Sequence, residues 1–412
     1  MTAYALYLHI PFCRRRCSYC DFNTYTTLGD LQVDYVAALA REIAQVGAAG
    51  GRPAVRTIFF GGGTPSLLSP VQVEMLLDAA RAAFAVDPAA EITMEANPGT
   101  VDVGYLSAVR ALGVNRLSYG VQSALPGELA LLGREHSFAE AVAAVDAARA
   151  AGFDNLNLDL IYGLPGQSAA DWRQTLDAVL PLADGTSVVT HISLYCLTIE
   201  PGTPLQRGVS DGGIPLPDPD TAADQYEMAG ETLAAAGFGH YEISNWARPG
   251  RECRHNLVYW RNEPYLGLGA GAHGSAGGYR YSVVRQPRHY IRRMDTGRQT
   301  TDDRPQTAAI EAHSVVRRPS SVVFPLSAAV ADYHAVGRAE AMSDTVITQL
   351  RLLDEGLDLA GFAARFGQPF DAVYGETTAQ LEEWGLLRRA GGRLLLTEHG
   401  RFLSNQVFYR FV

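Results

Sequence analysis

Short runs of β-branched and aromatic residues alternate along this chain with longer stretches whose apolar positions recur three and four apart. That alternation predicts successive β/α units and a parallel sheet. Strands are expected at residues 3–10, 55–60, 91–96, 116–120, 155–161 and 188–195. Helices are expected at 34–46, 71–84, 138–151 and 171–182, with another at 222–236 after the Gly/Pro-rich loop 201–219. Six units fall short of the eight of a closed barrel, so the expected architecture is α/β: an incomplete (β/α)6 TIM-like barrel, open on one side, over residues 1–240. A connecting region follows at 241–337. From about residue 338 the pattern changes to helices (339–353, 359–366, 370–384), a hairpin around Ala390-Gly391-Gly392-Arg393 and a last helix at 399–407. This predicts a small helical, winged-helix-like domain over 338–412, read as a lid or docking module.

Composition narrows the class. With 47% hydrophobic and 19% charged residues in 412, the chain has the makings of a sizeable core. A net charge of −10 argues against broad nucleic-acid or anionic-lipid binding, and the positive charge is all arginine, since lysine is absent. The N-terminal residues carry no basic, apolar leader, and no apolar run approaches ~18 residues. The expectation is a protein neither secreted nor membrane-spanning. Five cysteines, three of them clustered, fit a reducing cytoplasm better than a disulfide framework.

Those three cysteines carry the chemistry. Cys13-Arg14-Arg15-Arg16-Cys17-Ser18-Tyr19-Cys20 directly follows the first expected strand. A 4Fe-4S cubane takes four ligands, usually thiolates, and this C-x-x-x-C-x-x-C loop supplies three, leaving one iron open. An open iron can chelate the amino and carboxylate groups of S-adenosylmethionine and pass it an electron, generating a 5'-deoxyadenosyl radical. The alternative, a zinc knuckle, needs a second ligand pair, and no further C-x-x-C or H-x-x-x-H follows. Arg14 to Arg16 are either a solvated loop or a docking patch for an acidic electron donor.

Catalytic residues of such barrels sit where strands end. There this chain has Gly61-Gly62-Gly63-Thr64-Pro65, whose backbone could approach a ligand's polar groups, and Glu95-Ala96-Asn97-Pro98, whose carboxylate is either solvated or a nucleoside ligand. Gly120-Val121-Gln122-Ser123 and Gly133-Arg134-Glu135-His136 follow. Asp159 interrupts the apolar run before Gly163-Leu164-Pro165, and a charge so placed needs a partner.

These segments, with Leu6-Tyr7-Leu8-His9-Ile10-Pro11-Phe12 and Glu200-Pro201-Gly202-Thr203, resemble the radical-SAM superfamily over nearly the whole chain. The resemblance is to the branch containing oxygen-independent coproporphyrinogen III oxidase. It implies a radical-SAM barrel with Cys13, Cys17 and Cys20 on the iron and Tyr7, Gly62, Gly63, Thr64, Glu95, Gln122, Arg134 and Asp159 on S-adenosylmethionine. It implies as reductant a protein such as flavodoxin or ferredoxin. Two departures decide the branch. The oxidases carry another cysteine two residues past the third, where this chain has Phe22, and they have an N-terminal extension ahead of the first strand.

Cys-Asp-Phe-Asn after the cluster and His255-Asn256-Leu257-Val258-Tyr259-Trp260 are instead similar to the HemW-type haem chaperones. By residue type alone His255 reads as a loop histidine beside two core aromatics. The resemblance makes it an axial haem ligand, with haem passed to acceptor haemoproteins such as respiratory enzymes. It assigns no catalytic residue and no role to Cys196, while Cys253 reads as a plain thiol or an accessory ligand. The alternative function is oxidative decarboxylation of the two coproporphyrinogen III propionates.

Overall fold

The structure, a computed structural model, describes residues 2–184, 187–296 and 323–412. Part of the expected connecting region, 297–322, lies outside the described residues. All six expected strands form: β1 (Ala3–Ile10), β2 (Ala54–Gly62), β3 (Ala85–Ala96), β4 (Arg116–Gln122), β5 (Leu156–Tyr162) and β6 (Val189–Cys196). The chain divides into two compact units. One holds Met1–Arg14, Phe22–Ile92 and Pro264–Ala335, the other Arg15–Asp21, Thr93–Glu263 and Val336–Val412.

In the first unit β1 is flanked by parallel partners, β2 on one side and Tyr265–Leu268 on the other. Antiparallel strands His273–Ala276, Tyr279–Val283 and Val330–Ala335 continue the sheet from there. These strands lie in the region read from the sequence as a connection. They escape a periodicity search because each spans only four to six residues, some interrupted by glycine. The helix Gln32–Ala49 buries Leu39, Ile43 and Val46, and on the same face Glu42. That buried carboxylate accepts from the Gly269 amide at 2.8 Å, the Tyr290 hydroxyl at 2.7 Å and the Ser327 hydroxyl, tying the late strands to the first helix. Burial raises its pKa despite the three donors.

In the second unit the end of β3 pairs in parallel with β4, β4 with β5 and β5 with β6. The short antiparallel strands Asn245–Ala247 and Gly239–Glu242 follow β6. Leu117, Leu158 and Ile192 of these parallel strands are buried in the apolar core. Helices Phe138–Ala150 and Ala169–Val179 begin with capping boxes at Ser137 and Ser168, which satisfy amides that a helix start otherwise leaves open.

The same unit ends in helices Arg338–Gln349, Leu359–Phe366 and Asp371–Glu383 around a core of Val346, Leu350, Phe362, Phe370, Leu381 and Phe411. Strands Leu387–Ala390 and Arg393–Leu396 form the expected hairpin, with Gly391 and Gly392 both at positive φ, and Leu357–Asp358 adds a third strand. Two short helices, Glu398–Phe402 and Ser404–Phe408, stand where one was expected.

Buried neutral histidines give the fold an acid-sensitive component. Burial and the neighbouring Arg134 lower His136 to about 4. Its folded pKa lies below the unfolded value of about 6.5, so its contribution is complete above that pH and is lost as pH falls toward about 4. The unfolding midpoint of the parent should therefore fall relative to that of His136→Gln as pH drops through this window. Parallel midpoints at every pH would contradict the assignment.

Candidate cofactor and ligand site

The entry to the cysteine loop is built in the first unit. The Gly63 amide donates to the Ile10 carbonyl at 2.9 Å and the Thr64 amide to that of Phe12 at 2.8 Å, while the Cys13 amide donates to Tyr25 at 3.0 Å. The two glycines are required by this close approach. A Cβ at Gly63 would stand 2.6 Å from the Phe12 oxygen, and one at Gly62, whose φ is 112°, would stand 2.4 Å from the His9 ring. The Thr64 hydroxyl points at the Cys13 sulfur, 3.6 Å away. Tyr7 lies 3.1 Å from His9 Nδ1, and His9 Nε2 lies 3.1 Å from the Asn23 carbonyl. A carbonyl only accepts, so Nε2 carries the proton and Nδ1 accepts from Tyr7.

The second unit holds Cys17 and Cys20. The Ser18 hydroxyl donates to Leu131 at 2.6 Å, the Ser18 amide to Leu132 at 3.0 Å and the Leu205 amide back to Ser18 at 2.9 Å, which fastens this segment beyond β4. Arg134 reaches across it. Its guanidinium donates to the Cys17 sulfur at 3.4 Å, to Asn97 Oδ1 at 2.5 Å and to the Gly120 carbonyl at 2.6 Å.

Gln122 closes β4 after a register shift, with a φ of 69° that side-chain-bearing residues seldom adopt. It is 8% exposed, and its Oε1 has no hydrogen-bond partner among the described residues. Strain and an orphaned buried acceptor at one strand end are features that could serve a polar ligand.

Glu95 sits on β3 opposite Ser118. Asp159, the charge within the apolar run, has its partners: Asn157 Nδ2 donates to Oδ1 at 2.7 Å and the Ser118 hydroxyl to Oδ2 at 3.1 Å. Burial nonetheless raises its pKa. Sequence reasoning gave no role to Asn97, Ser118, His191 or Tyr241. The available signal was polar residues at alternate positions of apolar strands, as at Asn157 and Asp159 or His191 and Ser193.

His255 is in a helix rather than a loop, Arg254–Trp260, capped by Cys253. Its ring is 1% exposed, and Nε2 lies 2.9 Å from the Tyr259 hydroxyl one turn on. Helix Arg338–Gln349 and the turn after it hold this element's C-terminal end: Arg351 covers the Trp260 ring at 4.2 Å, Arg261 forms a forked pair with Glu355, and Asn262 donates to Thr345 at 3.0 Å. Cys196 ends β6.

Among the described residues the three loop cysteines form no disulfide. Among the described residues no three His, Cys, Asp or Glu side chains form a group poised to hold a metal, and a cluster assignment rests on the C-x-x-x-C-x-x-C spacing and on family.

The family follows from sequence. The model of the radical SAM superfamily matches residues 7–179, and that of the HemN C-terminal domain matches 336–403. The chain belongs to the radical SAM superfamily, which implies a 4Fe-4S cluster and S-adenosylmethionine. It is 38% identical over 407 residues to the heme chaperone HemW of Mycobacterium tuberculosis, covering 98% of this chain and 93% of that one. It is 34% identical to the heme chaperone HemW of Bacillus subtilis, covering 98% of both. Within the superfamily, then, it is a member of the HemW family. The coproporphyrinogen III oxidase HemN of Escherichia coli, a radical SAM enzyme, shares the fold with a TM-score of 0.79 at 25% identity, covering 100% of this chain and 90% of that one. The α/β radical-SAM fold with a C-terminal helical domain, expected from the strand pattern and the resemblance, is the fold of this chain.

Proposed function

We propose that the protein is a haem chaperone: it takes haem through His255, holds a 4Fe-4S cluster on Cys13, Cys17 and Cys20, binds S-adenosylmethionine, and hands haem to acceptor haemoproteins. The observation that carries this reading is 38% and 34% identity over 98% of this chain to two heme chaperones HemW, together with His255-Asn256-Leu257-Val258-Tyr259-Trp260. The barrel would comprise residues 1–240, the haem-motif region 241–337 and the C-terminal domain 338–412. The cluster, when bound, supplies an open iron for the amino and carboxylate groups of S-adenosylmethionine.

The chain's own residues do the remaining work. Gln122 offers its orphaned acceptor, Asp159 and Glu95 offer carboxylates to ligand hydroxyl or ammonium groups, and Arg134 orients the loop by bridging Cys17 to Asn97. Tyr7, Gly62, Gly63 and Thr64 complete the S-adenosylmethionine contacts in this reading. A flavodoxin- or ferredoxin-like reductant and a cytoplasmic setting belong to the same proposal. No helix among the described residues is long and apolar enough to cross a membrane.

Haem capture by His255 requires a change of structure, because the ring is buried and Nε2 is engaged by Tyr259. An anaerobic haem titration tests the ligand assignment. His255→Ala should shift or weaken the Soret band and loosen haem by at least about tenfold, the scale of one lost axial bond or strong hydrogen bond. Unchanged affinity and spectrum would remove His255 from the site.

A further inference from the structure

A file of buried polar side chains runs through the second unit from Asp159 to the helix that bears His255. Asn157 Nδ2 donates to Asp159 at 2.7 Å, and Asn157 Oδ1 lies 2.6 Å from His191 Nδ1. His191 Nε2 lies 2.8 Å from the Tyr241 hydroxyl, and the amide of Cys253, the residue capping helix Arg254–Trp260, donates to that hydroxyl at 3.4 Å. Each direction follows from its neighbour. The Asn157 oxygen only accepts, so His191 Nδ1 carries the proton, and a neutral imidazole then accepts at Nε2. Tyr241 must donate there, which leaves its oxygen to accept from Cys253. Burial and the nearby Arg116 keep His191 neutral, consistent with this tautomer. Every proton along the file therefore points toward the Asp159 carboxylate, and such a chain polarises as one unit.

The file ends at the helix that carries the buried His255. We propose that His191 and Tyr241 are positioning residues that hold the His255 helix closed while the Asp159 carboxylate is bound only by its own chain, and release it when a nucleoside ligand takes that carboxylate. A ligand hydroxyl at Asp159 competes with the Asn157 donor. The rearrangement passes through His191 to Tyr241 and weakens the cap at Cys253. S-adenosylmethionine and haem then bind with positive cooperativity.

The inference rests on the haem-chaperone reading, and haem titrations of the cluster-loaded protein separate the two. They are run without reductant, with and without saturating S-adenosylmethionine. In the parent the ligand should tighten haem about tenfold, within the ~5–150-fold range of coupled sites. Tyr241→Phe removes only the hydroxyl. It should bind haem without S-adenosylmethionine as tightly as the parent binds with it, and the added ligand should change its affinity less than about twofold.

His191→Gln can accept from Tyr241 and donate to Asn157, so it should retain the response, whereas His191→Leu should lose it. That pair decides the matter even if Tyr241→Phe fails to fold. Two outcomes overturn the inference: a parent that binds both ligands without mutual effect, or an undiminished response in Tyr241→Phe or His191→Leu. Haem affinity unmoved in His255→Ala would instead overturn the chaperone reading beneath it.

Discussion

Replacing any one of Cys13, Cys17 or Cys20 by serine should abolish or severely degrade the 4Fe-4S signal after anaerobic reconstitution, whereas Cys196→Ser and Cys253→Ser should leave it intact. Three thiolates are the whole protein ligand set of a site-differentiated cubane, so losing one removes a third of the protein's hold on the metal. A serine hydroxyl, with a far higher pKa than a thiol, does not replace the thiolate. Cys17 and Cys13 also have donors aimed at sulfur, from Arg134 at 3.4 Å and Thr64 at 3.6 Å, which orient the two side chains. Iron content, absorbance and the paramagnetic spectrum of the reduced protein report the result. A full cluster in Cys13→Ser, or its loss in Cys196→Ser, would contradict the assignment.

Gly63→Val should be nearly as damaging, by a different route. The new Cβ would stand 2.6 Å from the Phe12 oxygen and 2.8 Å from that of Ile10, both backbone atoms of the segment that delivers Cys13. Backbone cannot swing aside as a side chain can, and forced overpacking typically costs ~1–3 kcal/mol. The expected outcome is a folded protein with a lowered unfolding midpoint, a displaced Cys13 and reduced iron content. Thr64→Ala, which removes only the hydroxyl, should retain most of the cluster. A Gly63→Val variant with parental iron content and S-adenosylmethionine affinity would show that this contact does not set the loop.

The strands that position the site were legible because a parallel strand reads as a short run rich in apolar residues, β-branched as at Val55 and Ile58 of β2 or leucine as at Leu156, Leu158 and Leu160 of β5. Ends were less so: β2 continues through Gly61 and Gly62, whose residue type signals a turn but whose amides and carbonyls stay in register with His9 and Ile10. The glycine-rich loop was read for its approach to a ligand. In the structure the Gly63 and Thr64 amides are already spent on the chain's own carbonyls. Asp159 was legible as a charge in need of partners, yet its partners were not, since Ser118 and Asn157 are ordinary polar residues until the sheet brings them alongside. His255 read as a loop residue because its motif is a seven-residue helix, too short for periodicity to register. Its links to Tyr241 and Arg351 are tertiary and leave no local trace.

The central claim is that this chain carries haem rather than making its precursor. One anaerobic experiment tests it directly: the cluster-reconstituted protein, loaded with haem, is mixed with an apo-haemoprotein, while a parallel sample receives coproporphyrinogen III, S-adenosylmethionine and a low-potential reductant. The account predicts stoichiometric haem binding, transfer to the acceptor and no protoporphyrinogen from the second sample. Catalytic decarboxylation of coproporphyrinogen, with no haem passed to the acceptor, would contradict it.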